Sequence, residues 1–190
     1  MESVESAPAA EEQPATEPEA PAPAAKFAVI MPERIDHDWY WILYSDTSQH
    51  LVQSAIEKSL IRAGAEVIDL SSVDLPSFGN DWMRLASRDY AVKVGRQIGV
   101  DYIITGQATS VKASEGNAYG VTVYRSQAEI SAKIVRVSDG KIIEVFDESG
   151  LEGGQSAQAA GQTALKKLGG KIGGKIGRAA MNLPAVPKAP

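Results

Sequence analysis

The chain has 190 residues, with 24 acidic side chains against 19 basic ones, two histidines and no cysteine. Without cysteine there is no disulfide framework, no thiolate zinc site and no cysteine nucleophile, and two histidines cannot form a three-histidine metal site. No apolar run reaches the roughly 18 residues that a transmembrane helix needs. The net charge of −5 argues against duplex DNA as the main partner, and we expect no nucleic acid to bind.

The start of the chain differs sharply from the rest. Residues 1–25 contain six glutamates, no base, no aromatic residue and no Leu, Ile or Phe. Such a segment cannot bury enough apolar area to offset the roughly 1–2 kcal/mol of backbone entropy lost per ordered residue. We therefore predict a disordered Ala/Pro/Glu tether over 1–26, a single domain over 27–183 and a short Pro-rich tail over 184–190. The acidic start does not resemble a secretory signal.

The domain is predicted to begin with a strand, a helix and a second strand. The apolar run Phe27–Met31 ends at Pro32 and indicates a buried strand. A helix follows from about residue 47 to 63, because its apolar side chains recur every three or four residues, and Gly64 supplies its stop. Residues 65–70 are predicted to form the second strand.

A second helix and a third strand come next. The helix spans about 86–98, with Ser87 as its cap and Gly99 at its end. The third strand is predicted over 102–112. The polar residues Ser114–Asn117 then indicate a turn.

A hairpin and a final helix complete the predicted domain. Alternating side chains over 128–134 indicate a strand with one buried face, Asp139-Gly140 indicates a tight turn, and 141–146 is the return strand. The last helix spans about Ser156–Met181. The order β-α-β-α-β-β-β-α predicts an α/β fold whose mixed sheet is parallel in its first part and antiparallel at its edge.

The last helix contains the repeat KLGGKIGGKIGR over residues 167–178. A glycine inside a helix costs about 1 kcal/mol relative to alanine, so a helix with several of them needs a packing surface. The glycines on one face of the helix would allow a neighbouring sheet or helix to approach closely, while the lysines point outward. We favour packing on the domain's own sheet over docking on an anionic membrane surface. The residues concerned are Gly169, Gly173 and Gly177 on the packing face, and Lys167, Lys171 and Lys175 on the outer side.

The same repeat offers a weaker alternative, a phosphate-binding loop. Gly169–Lys175 fits the pattern G-x-x-x-x-G-K, but Ile176 stands where a serine or threonine should hold magnesium. A helical stripe also precedes the repeat, whereas such a loop follows a strand. An enzyme that binds a phosphate ligand is therefore the least favoured interpretation.

Four aromatic side chains cluster between the first strand and the first helix, in a chain with only 6% aromatic residues. They either fold over the edge of the core or form a patch that binds a protein partner, since Trp and Tyr dominate interface hot spots. The residues are Trp39, Tyr40, Trp41 and Tyr44. Nearby His37, between two aspartates, fits a solvated loop better than a metal site. No spacing typical of a catalytic, cofactor or metal site is present, so we predict no cofactor and no enzymatic activity.

Five stretches of the sequence follow one another in a characteristic order over roughly residues 27–181. They are FAVIMPE, SLIRAGAEVIDLSSVD, AVKVGRQIGVDYIITGQATS, AEISAKIVRVSDGKIIEVFDESG and AQAAGQTALKKLGGKI. In this order they resemble curli-secretion-lipoprotein-like (CsgG-like) domains. The wider group includes the N-terminal domain of TolB, the middle domain of flagellar assembly protein T and the penicillin-binding-protein activator lipoprotein B. The resemblance implies an anticodon-binding-like α/β domain that is not an enzyme and works in the envelope of Gram-negative bacteria.

Together these observations predict a non-catalytic envelope accessory domain that acts by protein–protein contacts. Its machine would be periplasmic or in the outer membrane, of the flagellar basal-body, secretion or cell-wall-synthase type. Homo-oligomer formation and membrane association through the basic last helix stay open. We expect the periplasm or the periplasmic face of the outer membrane if a signal has been removed before Met1, and the cytoplasm otherwise. Channel formation is disfavoured, because the strands lack a pore-forming pattern.

Overall fold

The computed structural model describes residues 24–36, 50–70, 82–118 and 120–186. These residues form six strands and four helices. In chain order the elements are β1 (Lys26–Ile30), β2 (Glu33–Asp36), α1 (Leu51–Arg62), β3 (Glu66–Val67), α2 (Trp82–Leu85), α3 (Arg88–Ile98), β4 (Tyr102–Ala118), β5 (Val121–Arg136), β6 (Ile142–Gly154) and α4 (Ala157–Ala180).

The strands form one mixed sheet in the order β3-β1-β4-β5-β6. β1 runs parallel to both β3 and β4, whereas β4, β5 and β6 are antiparallel to one another. β2 pairs with β4 further along, so β1 and β2 act as one strand interrupted at Pro32, which has no N–H to donate. The carbonyl oxygen of Pro32 still accepts from Ala108 N at 3.0 Å. The predicted α/β fold with a mixed, antiparallel-edged sheet is confirmed.

Helices cover the two faces of the sheet unequally. α1 and α4 lie side by side on one face, and their apolar side chains form the larger core with the sheet. On the other face, α2 and α3 cover β1 and the adjoining ends of β4 and β5, where Ala28, Ile103 and Val137 contribute to a smaller core. The rest of that second face has no helix over it in the described structure. The largest fully buried side chains of the main core are Phe27, Met31, Ile56, Leu60, Tyr102, Ile104, Ile130, Ile134, Leu165, Ile172 and Ile176.

Several helix ends lie where local signals in the sequence predicted them. The Ser87 hydroxyl oxygen accepts a hydrogen bond from Tyr90 N at 3.3 Å, and that of Ser156 accepts one from Ala159 N at 3.0 Å. Each bond satisfies an N–H that has no partner within its helix. α3 ends at Gly99, whose φ of 73° is a left-handed conformation that glycine adopts readily.

The turn predicted at Ser114–Asn117 is wrong. β4 continues through these residues to Ala118, with only a shift in register near Ala113. Gly120, immediately before β5, has a φ of 78°, and its N–H donates to Asn117 Oδ1 at 3.0 Å. Pairing with β5 therefore holds small polar residues in a strand, although their local preference is for a turn.

Two described elements were not expected, and the hairpin strands are longer than predicted. β2 and the four-residue α2 are absent from the predicted order. β6 continues to Gly154, well beyond the predicted end at Phe146. The reason is again pairing, because β5 supplies hydrogen-bond partners along nearly the whole of both neighbours.

Gly106 allows β4 and β5 to approach closely, so Gly106→Ala should be strongly destabilising. A Cβ at this position would lie 2.0 Å from the carbonyl oxygen of Ser131, which no small adjustment relieves. We expect urea denaturation to show a free energy of unfolding lower by about 1–3 kcal/mol, or no folding. Gly116→Ala in the same strand is the control, because its Cβ meets nothing within 4 Å. Equal losses in the two variants would contradict this account.

Candidate functional site

The aromatic cluster lies outside the part of the chain that the structure describes. Its residues are Trp39, Tyr40, Trp41 and Tyr44, with His37 beside them. The structure does describe both ends of this segment. β2 ends at Asp36, which is paired with Val111 of β4, and α1 begins at Leu51.

One carboxylate connects the two ends of this segment. Glu33 of β2 accepts hydrogen bonds from the first three backbone N–H groups of α1. Its Oε2 atom accepts from Leu51 at 2.9 Å, and its Oε1 atom accepts from Val52 at 2.8 Å and Gln53 at 3.0 Å. His50, at the N-cap position, provides no side-chain hydrogen bond, so Glu33 caps α1 from another element. Burial raises the pKa of Glu33 above its ordinary value, and the three amide hydrogen bonds oppose this shift.

The glycine face of α4 lies directly against α1. Residue numbers rise together along the contact, so the two helices run parallel to each other. A Cβ added at any of the three glycines would press on the α1 backbone. The closest distances would be 3.0 Å to Val52 Cα from Gly169, 2.9 Å to Ala55 O from Gly173 and 3.0 Å to Ser59 O from Gly177.

The apolar stripe next to these glycines faces the sheet. Its side chains fill the space between α4 and the strands, which requires bulk rather than close backbone approach. α4 therefore uses two adjacent faces with different chemistry, small residues against a helix and large ones against a sheet. The stripe consists of Leu165, Leu168, Ile172 and Ile176, all buried in the main core.

The repeat lysines form ion pairs with glutamates of β6. Lys171 and Lys175 contact Glu148 at 2.8 and 2.5 Å, and Lys167 contacts Glu152 at 2.5 Å. The Glu148 side chain is only 7% exposed. Lys171, and after it Lys175, holds the pKa of Glu148 below its ordinary value. Eight helical residues and four strand residues both span about 12–13 Å, so the two charge patterns match in length.

These contacts bear on two alternatives raised from the sequence. Gly169–Lys175 lies inside the continuous helix α4, whose backbone N–H groups are used within the helix, so no loop is present to hold a phosphate. The lysines that would face an anionic membrane are already engaged by carboxylates. Their pairing reduces the charge available for a lipid surface.

The uncovered part of the second sheet face carries side chains aligned in rows across β4, β5 and β6. Two polar rows line an open depression of about 370 Å³. They are Gln107, Ser131 and Asp147 in one row, and Thr109, Glu129 and Ser149 in the next. Val111 and Leu151, which flank Gln127 in the following row, are 45% and 47% exposed. This surface, called the open face below, has a polar centre and an apolar margin.

Metal binding and membrane spanning find no support in the part of the chain that the structure describes. Within it, no group of three or more His, Asp or Glu side chains could hold a metal ion. No helix among those residues is long and apolar enough to cross a membrane.

Sequence reasoning did not identify the three glutamates that make these contacts. Glu148 and Glu152 are four residues apart, which in a strand equals the length of the eight helical residues from Lys167 to Lys175, and this match in length is a signal that could have found them. Glu33 is a single carboxylate after a strand, and nothing in its neighbours marks it as a helix cap.

The fold and these surfaces define a small α/β domain with one helical layer and one partly open sheet face. The sequence profile of the TP0693-like lipoprotein, C-terminal domain, matches residues 45–177, which is more than half of the chain. The chain belongs to this family. No curated protein sequence matches it.

Solved structures with a similar chain course come from several bacteria. The PelC dodecamer from Paraburkholderia phytofirmans is 11% identical, with 82% of this chain and 91% of that chain covered and a TM-score of 0.42. The lipoprotein GNA1162 from Neisseria meningitidis is 17% identical, with 82% and 99% covered and a TM-score of 0.45. The LpoB C-terminal domain from Escherichia coli is 14% identical, with 67% and 82% covered and a TM-score of 0.41. At these identities and scores the similarities transfer no function to this chain.

The helix–helix contact predicts opposite effects for neighbouring glycines of α4. Gly173→Ala should lower the free energy of unfolding by about 1–2 kcal/mol, because its Cβ would force the Ala55 carbonyl away. Gly170→Ala, whose Cβ meets nothing within 4 Å, should raise that free energy by up to about 1 kcal/mol through helix propensity. Urea denaturation of both variants measures the difference. A destabilised Gly170→Ala variant or a stabilised Gly173→Ala variant would show that α4 does not contact α1 through Gly173.

The ion pairs of Glu148 predict a dependence of stability on acidity. Because its folded-state pKa is lowered, these pairs contribute stability above the unfolded-state pKa and lose it as pH falls through the folded value. The free energy of unfolding, measured between about pH 7 and about pH 3, should therefore fall more steeply for the wild type than for Glu148→Gln. Glu144→Gln, which removes an exposed carboxylate from the same strand, is the control. Parallel curves for all three proteins would exclude a stabilising role for these pairs.

Proposed function

We propose that this chain is a non-catalytic accessory domain of the bacterial envelope that acts by protein–protein contacts. Membership of a lipoprotein family supports the envelope setting. The observation that carries the contact role is the open face, which a helical layer would cover in a sheet buried on both sides. A partner that covers it would bury the exposed apolar margin of Val111 and Leu151.

The chemistry of the open face suits a reversible protein interface. Its centre is polar, with Glu129 and Asp147 on neighbouring rows and Lys133 on the row beyond. Non-obligate interfaces combine such polar groups with exposed apolar side chains at about the proportion of the general protein surface. This composition favours a transient interface over an obligate one.

The free edge of β6 enlarges the same interaction surface. In the described structure this 13-residue strand pairs with β5 alone, so its other side presents unpaired backbone groups. An extended segment of a partner could add to such an edge by backbone hydrogen bonds. A homo-oligomer would use the same groups, and we propose it as the second arrangement.

We propose the aromatic cluster as a second contact region. Its segment starts beside the open face, because Asp36 is paired with Val111 at the apolar margin. Glu33 holds the far end of the segment at the start of α1. Tryptophan and tyrosine side chains attached at that place would extend the contact area of the open face. The residues are Trp39, Tyr40, Trp41 and Tyr44.

The proposed location is the periplasm or the periplasmic face of the outer membrane. Membership of a lipoprotein family supports this location. The machine served would be of the flagellar, secretion or cell-wall-synthase type. We propose no catalytic step for the domain.

Site-directed crosslinking in bacterial envelopes tests the contact role. A photoreactive amino acid at Thr109 or Ser149 of the full-length chain should capture one defined partner, whereas the same group at Gln97, exposed on α3, should not. Ser149→Arg should then weaken binding of that partner at least about fivefold, which corresponds to about 1 kcal/mol. The Trp39→Ala/Trp41→Ala double variant should weaken it similarly.

Three results would contradict this proposal. Capture of the partner from Gln97 and from neither position on the open face would place the interface on α3, beside the open face and not on it. Unchanged partner affinity in the tryptophan double variant would exclude the aromatic cluster from the interface. Unchanged affinity in Ser149→Arg would exclude the open face.

A further inference from the structure

The exposed side of the α1–α4 layer is basic, although the protein as a whole is acidic. α4 contains five bases and no acid, and α1 contains two bases and one acid, Glu57. All seven basic side chains belong to exposed residues. We call this surface the basic side, and its bases are Lys58, Arg62, Lys166, Lys167, Lys171, Lys175 and Arg178.

Part of this charge is not neutralised within the described structure. Two glutamates of β6 are shared among three of the lysines. The other four bases form no ion pair with any described carboxylate, and they are Lys58, Arg62, Lys166 and Arg178. Seven bases against Glu57, Glu148 and Glu152 leave an excess of four positive charges on this side.

The chain enters the fold at one end of the basic side. Ala25 is buried in the same core as Ala180, the last residue of α4. The carbonyl oxygen of Ala25 accepts a hydrogen bond from Glu66 N, four residues after the end of α1. The preceding residues therefore join the domain next to the C-terminal ends of both helices, where Arg62 and Arg178 lie.

The segment that joins the domain at this point has the complementary charge. Residues 1–23 contain six glutamates and no base. At about 3.1 Å per residue for a proline-rich chain, the chain length gives Glu19 and Glu17 a reach of about 15–22 Å from the entry point. α4 is about 36 Å long, and these two glutamates can therefore reach at least its last three turns. The earlier glutamates can reach the rest of the helix.

We propose that residues 1–23 dock along the basic side of their own chain. The contact is a set of exposed ion pairs, each weak and screened by salt, which add up because the segment is already tethered. Docked in this way, the acidic segment competes with any other anion for the same lysines and arginines. This inference does not rest on the proposed function, which concerns the opposite face of the sheet.

A nitroxide label on a single introduced cysteine tests the docking, since the chain has no cysteine of its own. With Ala15→Cys labelled in the full-length, isotope-labelled chain, backbone amide signals of 58–62 and 166–178 should broaden at about 50 mM salt. The broadening should disappear at about 1 M salt. It should also disappear when all six glutamates of residues 1–23 are changed to glutamine.

Matched variants of the bases locate the contact. One variant carries Lys58→Gln, Lys166→Gln and Arg178→Gln, and should lose most of the broadening. The control carries Lys93→Gln and Arg96→Gln on α3, on the other face of the sheet, and should retain it. Dispersed amide spectra of both variants verify that each is folded.

Three results would overturn the proposal. The first is low-salt broadening that survives in the six-glutamine variant or in the triple variant. The second is the absence of broadening on α1 and α4 at low salt. The third is equal broadening in isotope-labelled chains that lack the cysteine, when they are mixed with nitroxide-labelled chains that carry no isotope label, because this would assign the contact to a neighbouring molecule.

Discussion

The close contact between α4 and α1 is the constraint on which the rest of the structure depends. Both helices must fit over one face of a single sheet, and this is possible only because glycines let their backbones meet. If side chains separated the helices, the apolar stripe of α4 could not remain over β5 and β6. The repeat lysines would then lose the glutamates of β6, and α1 would move away from the carboxylate of Glu33.

The sequence is informative where local chemistry decides the structure. The caps at Ser87 and Ser156 and the stop at Gly99 depend on side chains within a few residues, and these ends could be predicted. Ser114–Asn117 shows the opposite case, because pairing with a strand that follows later in the chain outweighs its local preference for a turn. Residue spacing along α4 also shows which face of the helix carries the glycines. It does not show that α1, more than a hundred residues earlier in the chain, lies against that face.

The contacts of the candidate surfaces likewise depend on elements that are distant in the sequence and meet only in the folded domain. The lysine repeat was visible in the sequence, but its partners on β6 depend on how a helix crosses an edge strand. The capping role of Glu33 depends on two elements that meet only after folding. The open face could not be predicted either, because it arises from where α3 ends on the sheet and not from any residue of the face itself.

The pairing between α4 and β6 has a consequence for how this domain can change length. A tetrad of the helical repeat advances about 6 Å, and so does a dipeptide of the strand. Two strand residues therefore match four helical residues in length along the contact between α4 and β6. A lineage that gained or lost one glycine–lysine tetrad would need to gain or lose two strand residues, and a change of one strand residue would turn its glutamates to the wrong side. Insertions and deletions here are expected only in such coupled pairs.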